Sequence, residues 1–218
     1  AEKVGLIDKP NFRKRHQGFI PLIGGIALFL GTLTFYAFQA DTLPLPGLYL
    51  LSMTILLIIG VLDDRFDISP ALRAGIQAIL AGAMIYSGLE LESLGQIIAP
   101  FSIKLGFFSL IFTVFITIGV INAFNMVDGI DGLLAGLSSV SFAGIGALMW
   151  INQEHAIAYW CLAIILTLIP YAMFNLSVFG AKWKVFMGDS GSTLIGFTII
   201  WMLLLSTQGQ GHAISPIT

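Results

Sequence analysis

"NAFNMVDGIDGLLAGL", residues 122–137, places two amides and two carboxylates between two long apolar segments. No lysine or arginine lies within this stretch. Segments of roughly 20 predominantly apolar residues are long enough to cross a lipid bilayer as helices. The stretch therefore predicts that one membrane helix ends and the next begins here, with Asn122, Asn125, Asp128 and Asp131 at or just beyond the helix ends.

The composition of the whole chain is typical of an integral membrane protein. Hydrophobic residues make up 57% of the 218 residues and charged residues only 10%, whereas soluble domains carry about 25% charged residues. The apolar runs are continuous and do not alternate with polar residues, which favours helices over a barrel. We therefore predict an all-α, polytopic membrane protein that lies in a lipid bilayer and has no nucleic acid partner. The sequence does not decide its oligomeric state, and a homo-oligomer is one of the options.

Apolar runs bounded by charged or turn-forming residues predict seven membrane helices. They cover residues 19–39, 46–62, 71–89, 105–124, 133–151, 156–175 and 192–207.

The lysines and arginines are distributed unevenly between the two ends of these helices. If the seven helices alternate in direction, nine of the ten basic residues fall on one side and only Lys104 falls on the other. The nine are Lys3, Lys9, Arg13, Lys14, Arg15, Arg65, Arg73, Lys182 and Lys184. Because loops rich in lysine and arginine remain in the cytoplasm, we assign the basic side to the cytoplasm.

The same alternation places three acidic motifs on the cytoplasmic side. They are "LDDRFDIS", the opening stretch and "VFMGDSGS". Their carboxylates belong to Asp63, Asp64, Asp67, Asp128, Asp131 and Asp189. We expect the three motifs to meet in one polar site.

Helix capping explains part of these placements. Side chains of Asp and Ser at the start of a helix accept hydrogen bonds from its free N–H groups, and Ser69, Asp131 and Asp189 stand where helices are expected to begin. Capping does not explain Asp63 and Asp64, which we expect just after the second helix, at the negative end of its dipole. Two adjacent carboxylates in that place need a cation nearby, or one of them must be protonated.

A hard divalent cation would satisfy these acidic residues. Carboxylate and amide oxygens without histidine or cysteine suit Mg²⁺ or Mn²⁺ and argue against zinc. Mg²⁺ usually binds one or two carboxylates together with substrate phosphate oxygens. Helix N-termini after "DGIDG" and "GDSGS" add N–H groups that favour phosphate. The residues alone therefore predict a metal-assisted site for diphosphate chemistry.

Four motifs occur in the order and with the spacing typical of one enzyme family: "DKPNFRKRHQGFIPLIGG", "LDDRFDIS", "NAFNMVDGIDGL" and "VFMGDSGSTLIG". In these motifs the chain resembles the polyprenyl-phosphate N-acetylhexosamine-1-phosphate transferases, and most closely the members that use UDP-GlcNAc and undecaprenyl phosphate. The resemblance implies transfer of GlcNAc 1-phosphate to the lipid with release of UMP, and a need for Mg²⁺ or Mn²⁺. It also implies a site on the cytoplasmic face of the bacterial inner membrane, where the product starts cell-envelope polysaccharide synthesis.

The resemblance further implies roles for individual residues. Catalytic roles fall on Asp63, Asp64 and Asp67. Metal ligands are expected at Asp189, Asn125 and Asp128. Substrate contacts are expected at Asp131, Asn122, Phe186, Lys14, Arg15 and His16. Among these, Phe186 would pack on the uracil ring, and the basic segment matches the family only loosely.

Two mechanisms and a second function stay open. The lipid phosphate could attack the β-phosphorus of UDP-GlcNAc directly, or an aspartyl-phosphate intermediate could form first. The alternative function is a cation-coupled secondary transporter, whose acidic residues would lie near the middle of the bilayer and line the ion path.

The family pattern extends beyond this chain. Its members have about ten or eleven helices and a histidine-rich cytoplasmic motif, which would follow residue 218. We therefore expect residues 1–218 to be a single transmembrane catalytic domain that is truncated at both ends.

The predicted sidedness can be tested with a topology reporter. A reporter fused after Gln153 should report the non-cytoplasmic side, because the connection at 152–155 lies opposite the basic loops. A cytoplasmic signal from this fusion would contradict the predicted topology.

Overall fold

The computed structural model describes residues 1, 4–8, 18–39, 43–95 and 103–208. Seven α-helices account for most of them, which confirms the predicted all-α class and the number of helices. They are α1 (Gly24–Phe38), α2 (Pro46–Phe66), α3 (Pro70–Tyr86), α4 (Phe108–Val127), α5 (Leu133–Ile151), α6 (His155–Asn175) and α7 (Gly188–Thr207).

Five helices in the described part of the chain are long and apolar enough to span a membrane: α2, α4, α5, α6 and α7. The apolar helix α1 is shorter, with 15 residues, and α3 has 17 residues. The chain is thus a multi-pass helical membrane protein, as the composition predicts.

Several predicted helix ends are wrong, and three of them matter for the site. Helix α1 begins at Gly24 instead of residue 19, because Ile20–Pro21 are extended. Helix α4 continues to Val127 instead of ending at residue 124, so Asn125 lies in its last turn. Helix α2 continues to Phe66 instead of ending at residue 62, and α7 begins at Gly188 instead of residue 192. Asp63 and Asp64 therefore lie inside the last turn of α2, and Asp189 lies inside the first turn of α7. The apolar run marks where a helix leaves lipid, whereas the helix itself continues for as long as its polar groups find partners.

Helix α7 is the central helix of the bundle. Within its membrane-length window, 83% of the residues are buried inside the protein, compared with 39% or less for the other four candidates. Its aromatic residues Phe197 and Trp201 pack against Tyr49 of α2, whose hydroxyl lies 3.0 Å from the Thr198 hydroxyl. The surrounding helices expose their apolar faces to lipid, and α7 is enclosed by them.

Glycines let α1 and α2 approach the first turn of α7 closely. A Cβ atom on Gly25 of α1 would lie 2.4 Å from the Gly191 nitrogen, and one on Gly60 of α2 would lie 2.3 Å from the Ser190 Cα. These separations are shorter than any real Cβ contact. Small residues are typical of close helix approach in membranes, and here they hold the start of α7 between its neighbours.

A two-stranded antiparallel ladder is the only sheet in the described residues. Strand β1 (Ile7–Asp8) pairs with β2 (Ile20–Pro21). The Phe186 N–H donates to the Pro21 carbonyl at 3.0 Å, and the Gly24 N–H donates to the Phe186 carbonyl at 3.1 Å. The ladder therefore places Pro21 and Leu22 beside the segment that leads into α7.

The two ends of the bundle carry different connections. At the end of α7, the Gln208 amide oxygen accepts from the Glu92 N–H at 3.0 Å. In the same connection, the backbones of Ser93 and Lys104 pair in an isolated antiparallel bridge. At the start of α7, Asp189 meets Asp64 and Asn125. The connection that carries Lys104 thus lies at the opposite end from the acidic motifs, as the alternation of helices predicts.

The close packing around α7 predicts a specific loss of stability. Gly60→Ala should lower the free energy of unfolding by about 1–3 kcal/mol, because the added methyl overlaps the backbone of α7. Gly119→Ala in α4 is the matched control, because nothing lies within 4 Å of its Cβ position. Thermal unfolding of the full-length protein in detergent would measure both changes; equal melting temperatures for the two variants would contradict the packing described above.

Candidate active site

Asp64 joins the end of α2 to the start of α7. One carboxylate oxygen accepts from the Asp189 N–H at 2.7 Å, and the other accepts from the Ser190 N–H at 3.2 Å. The residue that precedes α7, Met187, provides no side-chain cap, so Asp64 caps α7 from another helix. Gly188 makes this possible: its φ is +76°, and a Cβ there would lie 2.6 Å from an Asp64 oxygen.

This cap corrects two predictions from the sequence. Asp189 does not cap α7, because it lies within the first turn of that helix. The N–H groups of Asp189 and Ser190 donate to Asp64, so these two donors are not directed at a phosphate. A carboxylate at a helix N-terminus is favoured by the helix dipole as well as by the hydrogen bonds.

Arg73 supplies the cation that the paired carboxylates require. It forms an ion pair with Asp63, and the same nitrogen lies 3.7 Å from an oxygen of Asp189. The second oxygen of Asp63 accepts from the Ile68 N–H at 2.7 Å. The sequence did not single out Arg73 as a site residue, although its position in the first turn of α3, just after "LDDRFDIS", is a usable signal.

Asn125 brings the third motif into the cluster. Its amide nitrogen donates to the Asp189 carboxylate and, at 3.0 Å, to the Ser192 hydroxyl. The prediction that the three acidic motifs meet is therefore confirmed. The Asp189 side chain is 37% exposed while that of Asp63 is 2% exposed, so Asp189 is the accessible carboxylate of the two.

A second polar cluster lies around the turn between α4 and α5. Lys184 forms an ion pair with Asp131, and its ammonium lies 5.4 Å from the centre of the Phe186 ring. Asp131 does not cap α5 as the sequence predicted, because Gly132 occupies the cap position without a side-chain hydrogen bond. Lys184 is a second site residue that the sequence motifs did not indicate, although it stands two residues before Phe186.

The remaining predicted site residues end helices, make other contacts or lie outside the described residues. Asn122 donates to the Gln77 amide oxygen at 3.0 Å and joins α4 to α3. Asp67 is exposed and ends α2 with a positive φ of 54°, and Asp128 ends α4. Their catalytic, metal and substrate roles stay predictions. Lys14, Arg15 and His16 lie outside the residues that the structure describes.

Ser69 behaves as the sequence predicted. Its hydroxyl oxygen accepts from the Leu72 N–H at 3.4 Å at the start of α3. This cap fixes the turn that carries Arg73.

The chain matches the family model described as "Glycosyl transferase family 4" over residues 47–207. It belongs to that family. It is 63% identical over 220 residues to an undecaprenyl-phosphate alpha-N-acetylglucosaminyl 1-phosphate transferase of Haemophilus influenzae, covering all of this chain and 62% of the relative. The protein of the same name from Escherichia coli (strain K12) is 53% identical over 219 residues, covering all of this chain and 60% of that relative.

A third relative of the same name, from Pasteurella multocida, is 62% identical over 220 residues, with 62% of its length covered. The chain thus spans about three-fifths of the length of the curated relatives it matches. These matches confirm the family resemblance that the four sequence motifs indicate.

In the described part of this glycosyl transferase family 4 chain, only a small set of oxygen donors, Asp189 and a neighbouring amide, is suited to a divalent cation. Within the described ranges, no group of three or more His, Cys, Asp or Glu residues is arranged to hold a metal ion. The reason is local, because Asp63 pairs with Arg73 and Asp64 caps α7. A carboxylate of Asp189 with a neighbouring amide suits Mg²⁺, which takes most of its ligands from water and substrate phosphate.

The capping role of Asp64 predicts a loss of stability that Asp67 does not share. Asp64→Asn should lower the free energy of unfolding by about 1–2 kcal/mol, because one amide oxygen replaces two acceptors at the start of α7. Asp67→Asn is the control from the same motif, since asparagine tolerates the left-handed backbone at that position. Thermal melts of the full-length variants would measure the difference, and an unchanged melting temperature for Asp64→Asn would contradict the cap.

Proposed function

We propose that the full-length protein transfers GlcNAc 1-phosphate from UDP-GlcNAc to undecaprenyl phosphate and releases UMP. The proposal places this reaction at the cytoplasmic face of a bacterial inner membrane. The names of the relatives support the substrates, and family membership supports the reaction class. The observation that carries the proposal is one polar cluster at one end of the bundle, in which Arg73 contacts Asp63 and Asp189, and Asp189 contacts Asp64 and Asn125.

The proposed reaction depends more on neutralising the negative charge of the phosphates than on a catalytic base. A phosphate monoester has a second pKa of about 6, so the phosphate of the lipid acceptor is largely dianionic near neutral pH. An oxygen of that phosphate attacks the β-phosphorus of UDP-GlcNAc and forms a new P–O bond. The bond from the β-phosphorus to the bridging oxygen breaks, and its electron pair leaves with UMP. Positioning and charge stabilisation dominate in such transfers.

The engagement of Asp63 and Asp64 favours direct attack over a covalent intermediate. Both oxygens of Asp64 accept N–H groups of α7. One oxygen of Asp63 accepts the Ile68 N–H and the other pairs with Arg73. A carboxylate nucleophile must turn a lone pair toward phosphorus, and every oxygen of Asp63 and Asp64 already has one lone pair directed at a protein donor, which favours direct attack. We assign them to shaping the site: Asp64 orients α7, and Asp63 orients Arg73.

Mg²⁺ or Mn²⁺ is proposed as the cofactor, with Asp189 as its carboxylate ligand and Asn125 beside it. Asp128 is the third predicted ligand. When bound, the ion would neutralise the diphosphate of the nucleotide sugar. Arg73 complements this by keeping the buried negative charge of Asp63 paired.

The UDP part is assigned to the second cluster. Phe186 would pack on the uracil ring and Asp131 would contact the nucleotide. Asn122, Lys14, Arg15 and His16 stay predicted substrate contacts, and a homo-oligomer stays a prediction.

The placement of the acidic residues favours the transferase over a cation-coupled transporter. A transporter would place acidic residues near the middle of the bilayer. Here the interacting acidic residues Asp63, Asp64 and Asp189 lie in the last turn of α2 and the first turn of α7. Family membership points the same way.

The decisive experiment uses the full-length protein with undecaprenyl phosphate and UDP-GlcNAc labelled in the sugar. Label should enter the organic phase together with release of UMP. Release of UDP would indicate a glycosyltransferase that leaves the phosphate behind. Absence of any lipid product with UDP-GlcNAc and with other UDP-sugars would overturn the transferase proposal.

The role of Asp189 can be tested by a nearly isosteric change. Asp189→Asn should lower kcat by on the order of 10²-fold and weaken the dependence on Mg²⁺, while the melting temperature stays unchanged because the amide oxygen can still accept from Asn125. Glu92→Gln, at the opposite end of the bundle, is the control and should retain activity. Full activity of Asp189→Asn with an unchanged Mg²⁺ requirement would show that the metal assignment is wrong.

A further inference from the structure

Lys184 occupies a position between two elements assigned to the nucleotide sugar. Its ammonium pairs with Asp131, in the turn between α4 and α5, and lies 5.4 Å from the centre of the Phe186 ring. The Lys184 side chain is 18% exposed, whereas that of Asp131 is 48% exposed. A lysine stem held this closely keeps its charge at a defined place, unlike a lysine that extends freely from a loop.

The backbone around Lys184 is fixed by the buried side chain of Asn175. The Asn175 amide oxygen accepts from the Gly132 N–H at 2.7 Å, and its nitrogen donates to the Val185 carbonyl at 3.1 Å. Two adjacent pairs of residues are thus connected. Asp131 contacts Lys184 through an ion pair, and Gly132 is linked to Val185 through the side chain of Asn175. Lys184, Phe186 and Asp131 therefore form one preorganised unit.

The charge of Lys184 differs in kind from that of the other described cations at this end of the bundle. Arg73 is committed to Asp63 and Asp189 inside the acidic cluster. Arg65 lies over the Phe66 ring at 4.9 Å, and Lys182 lies over the Trp183 ring at 5.8 Å. Lys184 alone among these four stands at the ring assigned to uracil, and its carboxylate partner is accessible to solvent.

We propose that Lys184 binds the α-phosphate of the UDP part of the nucleotide sugar. This inference rests on the proposed function, which places uracil on Phe186. A base stacked on the free face of that ring carries its α-phosphate one ribose away, and the ammonium is held over the same ring, 5.4 Å from its centre. The phosphate then replaces or joins Asp131 as the partner of Lys184, because a charge-assisted hydrogen bond to phosphate is stronger than an exposed ion pair.

The contact would act on the leaving group of the reaction. When the bond between the β-phosphorus and the bridging oxygen breaks, the electron pair stays on that oxygen and UMP gains one negative charge. An ammonium at the α-phosphate stabilises this charge, and stabilisation of charge that develops in the transition state raises the rate. Lys184 is therefore expected to affect both the binding of the nucleotide and the rate of the chemical step in which UMP is the leaving group.

The test compares nucleotides that differ in phosphate while sharing the base. Binding of UMP, UDP and uridine to the full-length protein in detergent, without lipid acceptor, would be measured by calorimetry for the wild type, Lys184→Met, Lys184→Arg and Lys182→Met. Lys184→Met should weaken UMP and UDP roughly ten-fold and leave uridine unchanged. Lys184→Arg should retain most of the affinity, and Lys182→Met, the matched change two residues earlier on an aromatic ring, should bind all three as wild type does.

Each outcome decides between a phosphate contact and the other roles. An equal loss for uridine and UMP in Lys184→Met would overturn the proposal, because it would mean that Lys184 only positions Phe186. Unchanged UMP binding in Lys184→Met, or the same loss in Lys182→Met, would also overturn it. If the wild type binds none of the three compounds but transfers the sugar phosphate, the UDP assignment to this cluster is wrong; if it does neither, the proposed function fails first.

Discussion

The carboxylate of Asp64, which accepts two N–H groups from the first turn of α7, is the interaction on which the rest of the site depends. It connects the last turn of α2 to the start of the most buried of the membrane-length helices. The hydrogen bonds satisfy donors that every helix leaves open at its N-terminus. They also hold the backbone of Asp189, whose side chain contacts Asn125 and Arg73. A residue to which the family resemblance assigns a catalytic role thus has a structural role as well.

The site contains many carboxylates but exposes little uncompensated charge. Asp63 is paired with Arg73, Asp64 is bound to helix N–H groups, and Asp131 is paired with Lys184. Burying a carboxylate without such partners would be costly. Of the carboxylates in the acidic cluster, Asp189 retains the accessible position. This distribution is compatible with the proposed binding of an anionic diphosphate beside several aspartates, because Arg73, Lys184 and the N–H groups of α7 already compensate Asp63, Asp131 and Asp64.

The sequence predicts the frame of this protein well and the contacts of its site poorly. Continuous apolar runs predict seven helices because burial in lipid leaves a compositional signal. The same signal misplaces the ends of α2 and α7, since helical hydrogen bonding continues beyond the apolar run. The partners of the site residues leave no local signal at all. Asp64 and Asp189 are separated by 125 residues, and Lys184 and Asp131 by 53. Sequence motifs indicated which residues gather, but only the packing of α3 and α6 against their neighbours shows that Arg73 and Asn175 hold them there.

The short segment that leads into α7 carries three residues assigned to the substrate or its metal: Lys184, Phe186 and Asp189. It is held from three directions, by Pro21 and Gly24 through backbone hydrogen bonds, by Asn175 at Val185, and by Asp64 at the helix start. The spacing between an aromatic ring for the base, an ammonium and a carboxylate is therefore set before substrate binds. Under the proposed function, this segment and its anchors would supply the preorganisation that phosphoryl transfer needs, more than any single catalytic side chain.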